Sequence, residues 1–436
     1  MFSRFLNPFK IAARGVYLVE LFGHAVILYL RYRWKIGDLD NAFRKYAEMY
    51  VKIASREKGA LIKLGQLASL RVDVFPDIVS EILAHLQDRV EPRPFSEVSD
   101  QLKHELGFGW RKLFGSFDKD AIAAASLGQV HRATLISGEE VAVKILYPGI
   151  EKTVWLDLAC ARCALWAFNF VTISDLRLVF LEIKTSILRE MNYEIEADVA
   201  EEIAGNLSRD EKLAKKIKVP KIYRETSRTR ILTMEFISGA PLREFVTSSQ
   251  GSKEAKSTVF WMVRAFLHQM FVDGLFHCDP HPGNLLIDSE QRIVLLDFGM
   301  NKRISDRLRE GLRMNVWATM RRDPRAYAKS LEKAGMIGSK DLQAVQKVAE
   351  VMFDPEYFNL TPKEFAGLDF SRYLRRMRFE LRKVKSFVLP DGVVMWFRSF
   401  SLLLTFGAEL APGMRPVDIL APHMAHYLAE EANRVT

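Results

Sequence analysis

Cysteine is scarce in this chain of 436 residues, which contains Cys160, Cys163 and Cys278. A small, odd set excludes a disulfide framework and is typical of a protein that faces a reducing compartment. Cys160 and Cys163 have Cys-x-x-Cys spacing, but no second pair of that kind completes a tetrahedral zinc site. We therefore interpret them as two small apolar side chains on one helix face.

Long uninterrupted apolar runs are also missing. A membrane-spanning helix needs about 20 predominantly apolar residues. Polar or charged residues interrupt both of the most apolar stretches, 16–30 and 393–410, and these residues are Glu20, His24, Arg398 and Glu409. Neither stretch is therefore predicted to cross a bilayer.

Basic residues lie on both sides of the stretch 16–30. They are Arg4, Lys10, Arg14, Arg31, Arg33 and Lys35. Three interpretations stay open: an interfacial helix on anionic lipid, a mitochondrial-type presequence, and an ordinary buried helix. A second basic helix, predicted at 372–385, is either a solvated face or a contact with lipid headgroups.

Composition narrows the class of protein. Hydrophobic residues make up 49% of the chain, which excludes a disordered protein. The net charge of +9 permits nucleic acid, anionic lipid or anionic metabolites as partners. Because no platform of alternating aromatic and basic residues stands out, a nucleic-acid partner is disfavoured.

The order of helical and strand patterns predicts an α+β protein. Strand patterns occur at 133–135, 141–144 and 230–236, whereas helical periodicity dominates after 242. A small sheet-rich lobe followed by a large helical lobe is the bilobal layout of protein kinases, with nucleotide in the cleft. We divide the chain into a basic and apolar N-terminal helix (1–36), a helical extension (37–107), an N-lobe (108–238) and a C-lobe (239–436).

One loop carries the residue types that phosphoryl transfer needs. Asp279 and Asn284 stand five residues apart in His-Cys-Asp-Pro-His-Pro-Gly-Asn, and Asp297 opens a later Asp-Phe-Gly after an apolar strand. Mg²⁺ prefers carboxylate and amide oxygens, and ATP chemistry needs the metal on the phosphates. We predict that Asp279 orients the attacking group and that Asn284 and Asp297 bind Mg²⁺.

Lys144 ends an apolar Val-Ala-Val-Lys strand upstream of that loop. A lysine there can contact the α- and β-phosphates of ATP if an acidic residue on a following helix holds it. Two acidic residues are suitably placed for this, Glu190 and Glu196.

Glycine is missing where kinases normally carry a Gly-rich loop. The sequence at 121–130 is Ala-Ile-Ala-Ala-Ala-Ser-Leu-Gly-Gln-Val. Because alanine lacks the freedom of glycine at positive φ, we expect a stiffer loop whose amides meet the phosphates differently. The residues predicted to contact the nucleotide, besides Lys144 and Glu196, are Ala123, Ala124, Ala125, Ser126, Gln129 and Glu235.

Together these motifs resemble the UbiB/AarF family of atypical kinases, over about residues 59–421. The most specific element is Leu-Ile-Lys-Leu-Gly-Gln at 61–66, the family's KxGQ motif, which continues at 83–90. The Ala-rich loop and the loop that contains His277 and His281 are also family features. The motif residues are Lys63, Gly65 and Gln66.

The resemblance implies roles for several side chains. The KxGQ helix is expected to fold over the cleft where a protein kinase binds its peptide. Lys63 would then point into the active site toward Glu190 of an ExD motif, and it is predicted to be catalytic together with Lys144 and Asp279. Asn192 stands where the family usually has Asp. Glu196 matches the glutamate that pairs with Lys144.

The resemblance also implies a function and a location. We expect an ATP- and Mg²⁺-dependent ATPase or small-molecule kinase that supports ubiquinone or another isoprenoid-lipid pathway. Its expected partners are an anionic membrane surface, an isoprenoid or quinone-precursor lipid and quinone-biosynthesis proteins, at the bacterial cytoplasmic face or in mitochondria. A genuine protein kinase and a non-catalytic ATP-dependent scaffold stay open, although Cys278 replaces the Arg of His-Arg-Asp and no Ala-Pro-Glu follows Asp297.

Overall fold

The computed structural model of the chain describes residues 8–57, 59–69, 77–84, 86, 92–168, 176–249, 252–280, 282–355, 371–390, 392–410 and 420–424. The predictions made for His281 and for the end of the KxGQ continuation at 87–90 lie outside these residues.

Helices and short strands alternate along the chain, as the sequence pattern predicts for an α+β protein. The helices are α1 Pro8–Trp34, α2 Leu39–Glu57, α3 Ala60–Ser69, α4 Asp77–Ala84, α5 Phe95–Leu106, α6 Ile150–Phe168, α7 Leu176–Glu190, α8 Tyr193–Ser208, α9 Glu211–Ala214, α10 Leu242–Ser248, α11 Lys253–His268, α12 Asp306–Arg321, α13 Pro324–Lys333, α14 Leu342–Met352, α15 Ser371–Leu381 and α16 Val393–Leu410. The strands are β1 Phe114–Ala124, β2 Gly128–Leu135, β3 Glu140–Leu146, β4 Ile217–Lys218, β5 Ile231–Glu235, β6 Gly239–Pro241, β7 Leu275–His277, β8 Leu285–Asp288, β9 Ile293–Leu295 and β10 Asn301–Arg303.

The chain divides into two compact units. The first consists of Met1–Ala197 and Lys221–Phe236, and the second of Asp198–Pro220 and Ile237–Thr436. The first unit holds an antiparallel sheet of order β1-β2-β3-β5. Its core is built from alternate residues of β3, such as Val141 and Val143, which pack with Trp110 and Ile231. The period of two along a strand explains why this apolar run forms a buried central strand.

The N-terminal helices belong to the first unit. Helix α1 packs on α6 through an ion pair in which Arg14 donates from Nε and Nη2 to the two carboxylate oxygens of Asp157, at 2.8 and 2.5 Å. Both side chains are buried, so each charge depends on the other for compensation. None of the helices in the described ranges combines the length and the apolarity that crossing a bilayer requires.

The second unit contains two small sheets and most of the later helices. One sheet has the order β4-β9-β8-β6, with β4 and β9 parallel, and the other pairs β7 with β10. Serine side chains cap the N-termini of two of its helices. Ser252 accepts from the backbone N–H of Ala255 in α11, and Ser305 accepts from that of Leu308 in α12. The stretch 393–410 is the helix α16, as its apolar pattern predicts.

Candidate functional site

Lys144 lies on β3, between β2 and β5, opposite Val130 and Leu232. Its Nζ donates to both carboxylate oxygens of Glu196, at 2.8 and 3.0 Å. The ring of Tyr193 lies 5.1 Å from the same Nζ. Glu196 is buried, so the ion pair is poorly screened by solvent. The pairing of Lys144 with Glu196 is therefore confirmed.

Lys63 and Glu190 form a second ion pair in the first unit. Lys63 lies on α3 and is buried, and Glu190 is the last residue of α7, six positions before Glu196 along the chain. The predicted contact between the KxGQ lysine and Glu190 is thus observed. Asn192 has a local role, because its Oδ1 accepts from the N–H of Glu194 in the first turn of α8.

The glycine of the KxGQ motif is needed for packing. A Cβ placed on Gly65 would lie 2.3 Å from Leu86 Cδ1 and 2.8 Å from Tyr50 Cε1, closer than real Cβ contacts come. Gln66 donates from Nε2 to the carbonyl of Leu86, at 3.1 Å. Gly65 and Gln66 therefore hold α3 against Tyr50 and Leu86, while Lys63 on the same helix forms the ion pair with Glu190.

The alanine-rich segment is a β-hairpin rather than a long loop. Residues 121–124 continue β1, Gly128 begins β2, and the N–H of Ala125 donates to the carbonyl of Gly128 at 2.8 Å. None of the described residues 121–130 has a positive φ. The hairpin closes without the left-handed conformation that usually calls for glycine, so alanine fits these positions. Ala123, Ala125 and Ser126 are each at least partly exposed in it.

The structure corrects the expectation that Gln129 offers its side chain to a phosphate. Gln129 is buried, and its amide is used inside the unit. Its Oε1 accepts from the N–H of Arg93 at 2.7 Å, and its Nε2 donates to the carbonyl of Arg93 at 3.2 Å. The spacing of the sequence could not reveal this, because Arg93 lies 36 residues away.

Glu235 is the last residue of β5. Its Oε2 accepts from the backbone N–H of Lys221, at 3.3 Å, and the side chain is half-buried. The structure therefore gives Glu235 a local contact, and its predicted role with the nucleotide stays a prediction.

In the second unit, His277 fixes the backbone that leads into the loop of Asp279. The ring is buried, its Nδ1 accepts from the N–H of Asp279 at 3.1 Å, and its Nε2 lies 3.1 Å from the carbonyl of Leu296. Acceptance at Nδ1 and donation at Nε2 together require the neutral tautomer with its proton on Nε2. His277 thus links the Asp279 loop to the strand that precedes Asp297.

Both carboxylate oxygens of Asp279 have partners. Asn284 donates from Nδ2 to Oδ2 at 3.0 Å, and Arg398 donates from Nη2 to Oδ1 at 2.9 Å. Arg398 and Ser399 of α16 also donate to the carbonyl of Cys278, at 3.3 and 2.9 Å. Arg398, the charged residue that interrupts the apolar pattern of α16, therefore forms an ion pair with the predicted catalytic aspartate. Sequence reasoning missed this contact, although a charge within an apolar run was its visible signal.

Asp297 has a left-handed backbone, with φ 55°. Its Oδ1 accepts from the N–H of Gly299 at 3.1 Å, which is a local compensation that aspartate can make in this conformation. The N–H of Leu296, next to Asp297, donates to the carbonyl of Asn284 at 2.8 Å. The fold of the second unit thus brings the backbones of the two predicted metal ligands together.

The donor set suits Mg²⁺ bound with phosphates. Asn284 supplies an amide and Asp297 a carboxylate, and Mg²⁺ commonly takes one or two protein oxygens while phosphates and water fill the rest. Within the part of the chain that the structure describes, no group of three or more His, Cys, Asp or Glu side chains is arranged to hold a metal ion.

Comparisons with known proteins agree on the type of domain. Residues 85–331 match the model of the ABC1 atypical kinase-like domain. The chain is 34% identical to the Arabidopsis thaliana chloroplastic protein ACTIVITY OF BC1 COMPLEX KINASE 8, over 66% of this chain and 38% of that protein. It is 31% identical to an uncharacterised Synechocystis protein, over 73% and 80% of the two chains. It is 29% identical to a probable protein kinase UbiB of Shewanella loihica, over 92% and 73%.

A solved structure shares the fold. It is that of Rv3197 from Mycobacterium tuberculosis in complex with erythromycin, which is 24% identical and has a TM-score of 0.53 over 84% of this chain and 90% of that one. The α+β, bilobal kinase-like fold predicted from the sequence is thereby confirmed.

Proposed function

Because the chain belongs to the ABC1 atypical kinase-like family, to which the resemblance to UbiB proteins pointed, we propose that it binds ATP with Mg²⁺ and promotes transfer or hydrolysis of the terminal phosphoryl group. The observation that carries the proposal is the buried ion pair of Lys144 with Glu196. A largely enclosed lysine, 13% exposed and held by a buried carboxylate, is a fixed cation, which is what the α- and β-phosphates of ATP need.

Asp279 orients the attacking hydroxyl or water in this proposal. A general base must hold its carboxylate in a defined direction, and Asn284 and Arg398 fix its two oxygens. Asn284 and Asp297 would hold Mg²⁺, which, when bound, neutralises negative charge on the phosphates. The hydrogen bond from Gly299 supports the conformation of Asp297.

The proposed acceptor is water, a small molecule or an isoprenoid lipid. The family resemblance supports this class, because the helix that carries Lys63 is expected to cover the cleft in which a protein kinase binds its peptide, and Lys63 is held in place by its ion pair with Glu190. We connect the activity with ubiquinone or a related isoprenoid quinone through the UbiB resemblance. Quinone-biosynthesis proteins are the corresponding partners.

An anionic membrane surface is a further proposed partner, through α1. One side of this helix is buried, including Leu18 and Leu21, whereas Val16 and Val19 are 66% and 72% exposed. Exposed apolar residues on a helix flanked by basic residues suit the interface of an anionic bilayer. The buried residues and the Arg14–Asp157 ion pair at the same time support the interpretation of α1 as a packed helix.

Phosphate release from ATP by the purified full chain, with and without anionic vesicles, tests the proposal. We expect Mg²⁺-dependent turnover that Asp297→Asn lowers by at least about a hundredfold, because it removes a charged ligand. Asp306→Asn is the matched control, since Asp306 is a largely exposed aspartate of the same unit. Equal turnover in wild type and Asp297→Asn would contradict the proposal.

A non-catalytic, ATP-dependent scaffold is the second candidate. It is favoured by the engagement of both Asp279 oxygens, which leaves neither oxygen without a protein partner. Under this alternative, wild type binds ATP without turnover, and Asp279→Asn complements a deletion strain. A lipid extract of the deletion and Asp279→Asn strains separates the two, because accumulation of a quinone precursor in both favours the enzyme, whereas accumulation in the deletion strain alone favours the scaffold.

A further inference from the structure

One segment of the second unit exposes an unusual concentration of large apolar side chains. Phe379 and Leu381, at the end of α15, are 63% and 50% exposed, and Phe387, Val388 and Leu389 are 54%, 59% and 50% exposed. A soluble surface normally scatters such residues singly, and a group of them marks a surface that another phase or molecule covers.

The segment is held in a defined conformation. The carboxylate of Asp341 accepts from the N–H groups of Lys385 and Ser386, at 2.9 and 3.0 Å, and from the hydroxyl of Ser386. The N–H of Val388 donates to the carbonyl of Met336, at 2.8 Å. The hydrogen bond from the Ser386 side chain, followed by that from the Lys385 backbone, holds the pKa of Asp341 below its usual range. The Asp341 carboxylate that anchors the segment is therefore ionised at neutral pH. Phe387, Val388 and Leu389 are thus presented by an anchored loop.

The charges around these side chains select the kind of surface that covers them. The segment 376–389 contains five basic residues and one acidic residue: Arg376, Arg378, Arg382, Lys383, Lys385 and Glu380. Lys383 pairs with Glu380 and lies 4.3 Å from the ring of Phe379, and Arg376 pairs with Asp354. Arg378, Arg382 and Lys385 are exposed and extend the positive charge around the apolar group.

We propose that the segment 376–389 docks on the surface of a bilayer that contains anionic lipid. Phe387, Val388 and Leu389 would enter the interface between headgroups and acyl chains, and the surrounding arginines and lysines would meet the headgroup phosphates. The proposal rests on the proposed membrane association and extends it to a second place, in a different unit from α1. It does not depend on nucleotide chemistry.

Flotation of the full chain with vesicles tests this docking without nucleotide. The vesicles are phosphatidylcholine alone, or phosphatidylcholine with about one third phosphatidylglycerol. We expect wild type to bind the anionic vesicles and the double variant Phe387→Ser, Leu389→Ser to bind at least about tenfold more weakly. Arg382→Gln and Lys385→Gln should each weaken binding roughly fivefold, and less at high salt.

Ile136→Ser is the matched control for lost apolar surface. Ile136 is 67% exposed, but it lies in the first unit beside Glu139 and Glu140, so its loss should leave binding unchanged. Retained thermal unfolding temperatures show that the variants are folded. A dye on Leu389→Cys, in a Cys163→Ser background that removes an exposed native thiol, should shift to the blue on anionic vesicles.

The outcomes separate the proposals. Wild type that binds no anionic vesicle overturns both membrane contacts. A second outcome is that the double variant Val16→Glu, Val19→Glu loses vesicle binding, the double variant Phe387→Ser, Leu389→Ser keeps it, and the dye does not shift. This outcome overturns docking by 376–389 and leaves the membrane contact of α1 standing. In that case the exposed residues would serve a protein partner. Phosphate release is measured separately, so neither result decides the nucleotide proposal.

Discussion

Arg398 Nη2 lies 2.9 Å from Asp279 Oδ1, across 119 positions of sequence. The arginine comes from the apolar helix α16, and its side chain is 16% exposed. A charge-assisted hydrogen bond in such surroundings fixes the direction of the aspartate more firmly than a solvated contact would. Asp279 is therefore oriented by a helix that is far from its own loop in sequence but in contact with it in the fold.

We predict that Arg398→Gln lowers turnover by about 10- to 100-fold while the affinity for ATP changes little, because misdirection of a catalytic group affects the chemical step. Arg398→Lys should recover part of the loss, since it keeps the charge with a different geometry. ATP binding by titration and phosphate release give the two quantities. Higher turnover in Arg398→Gln would mean that the ion pair restrains Asp279 instead.

Lys144 and Glu196 should be energetically coupled. Either single change, Lys144→Met or Glu196→Gln, removes an ion pair from a largely enclosed site, at a cost of about 2–4 kcal/mol in the free energy of unfolding. The double variant should lose less than the sum, by about 1–3 kcal/mol. Denaturant unfolding of the four proteins measures this coupling, and additive losses would show that the pair contributes nothing beyond its members.

Gly65→Ala should destabilise the chain, because its Cβ would meet Leu86 and Tyr50 at less than 3 Å. Such overpacking costs typically about 1–3 kcal/mol. Gly205→Ala is the matched control, since no atom lies within 4 Å of the added Cβ in α8. The control should stabilise by about 0.5–1 kcal/mol through helix propensity. Thermal unfolding compares the two.

Asp273 makes stability depend on pH. Burial, partly opposed by Arg209 and Arg309 and aided by Glu202, raises the pKa of Asp273 to about 6 from its usual 3.8. The folded chain then binds more protons than the unfolded chain between these values, so stability falls as pH rises through this window. The ionised carboxylate costs about 1–2 kcal/mol above pH 6, after allowance for solvent screening.

Asp273→Asn should therefore stabilise the chain at pH 7.5 and have a smaller effect near pH 4.5. His268 Nε2 lies 3.7 Å from Asp273 Oδ1, so the comparison is repeated in a His268→Gln background that removes this contact. Glu290→Gln, at an exposed carboxylate of the same unit, is the control. Equal effects of Asp273→Asn at both pH values would contradict the assignment.

Local patterns in the sequence located the parts of the candidate site that lie on single elements. The apolar run before Lys144 and the spacing of Asp279 and Asn284 were enough, because strand period and loop length act over a few residues. The choice between Glu190 and Glu196 needed the family resemblance, since both stand in acidic helical segments. Each proved to have its own lysine.

Contacts between distant residues account for what the sequence did not reveal. Arg398 and Gln129 are bound by partners 119 and 36 positions away, and no periodicity reports such pairs. The sequence at 121–130 predicts a stiff loop, because alanine stands where kinases carry glycine. In the structure, residues 121–124 pair with β2 as a strand, and a local comparison of alanine with glycine does not reveal this pairing.

The packing of Gly65 against Leu86 and Tyr50 bears on how the KxGQ signature can be used across genomes. A descendant that lost phosphoryl transfer would still be selected for this glycine as long as α3 had to pack. Inheritance of the signature is therefore a record of architecture, and degenerate copies will retain it. Under the proposed function, Lys63 is the position of the motif at which we expect loss of the chemistry to become visible.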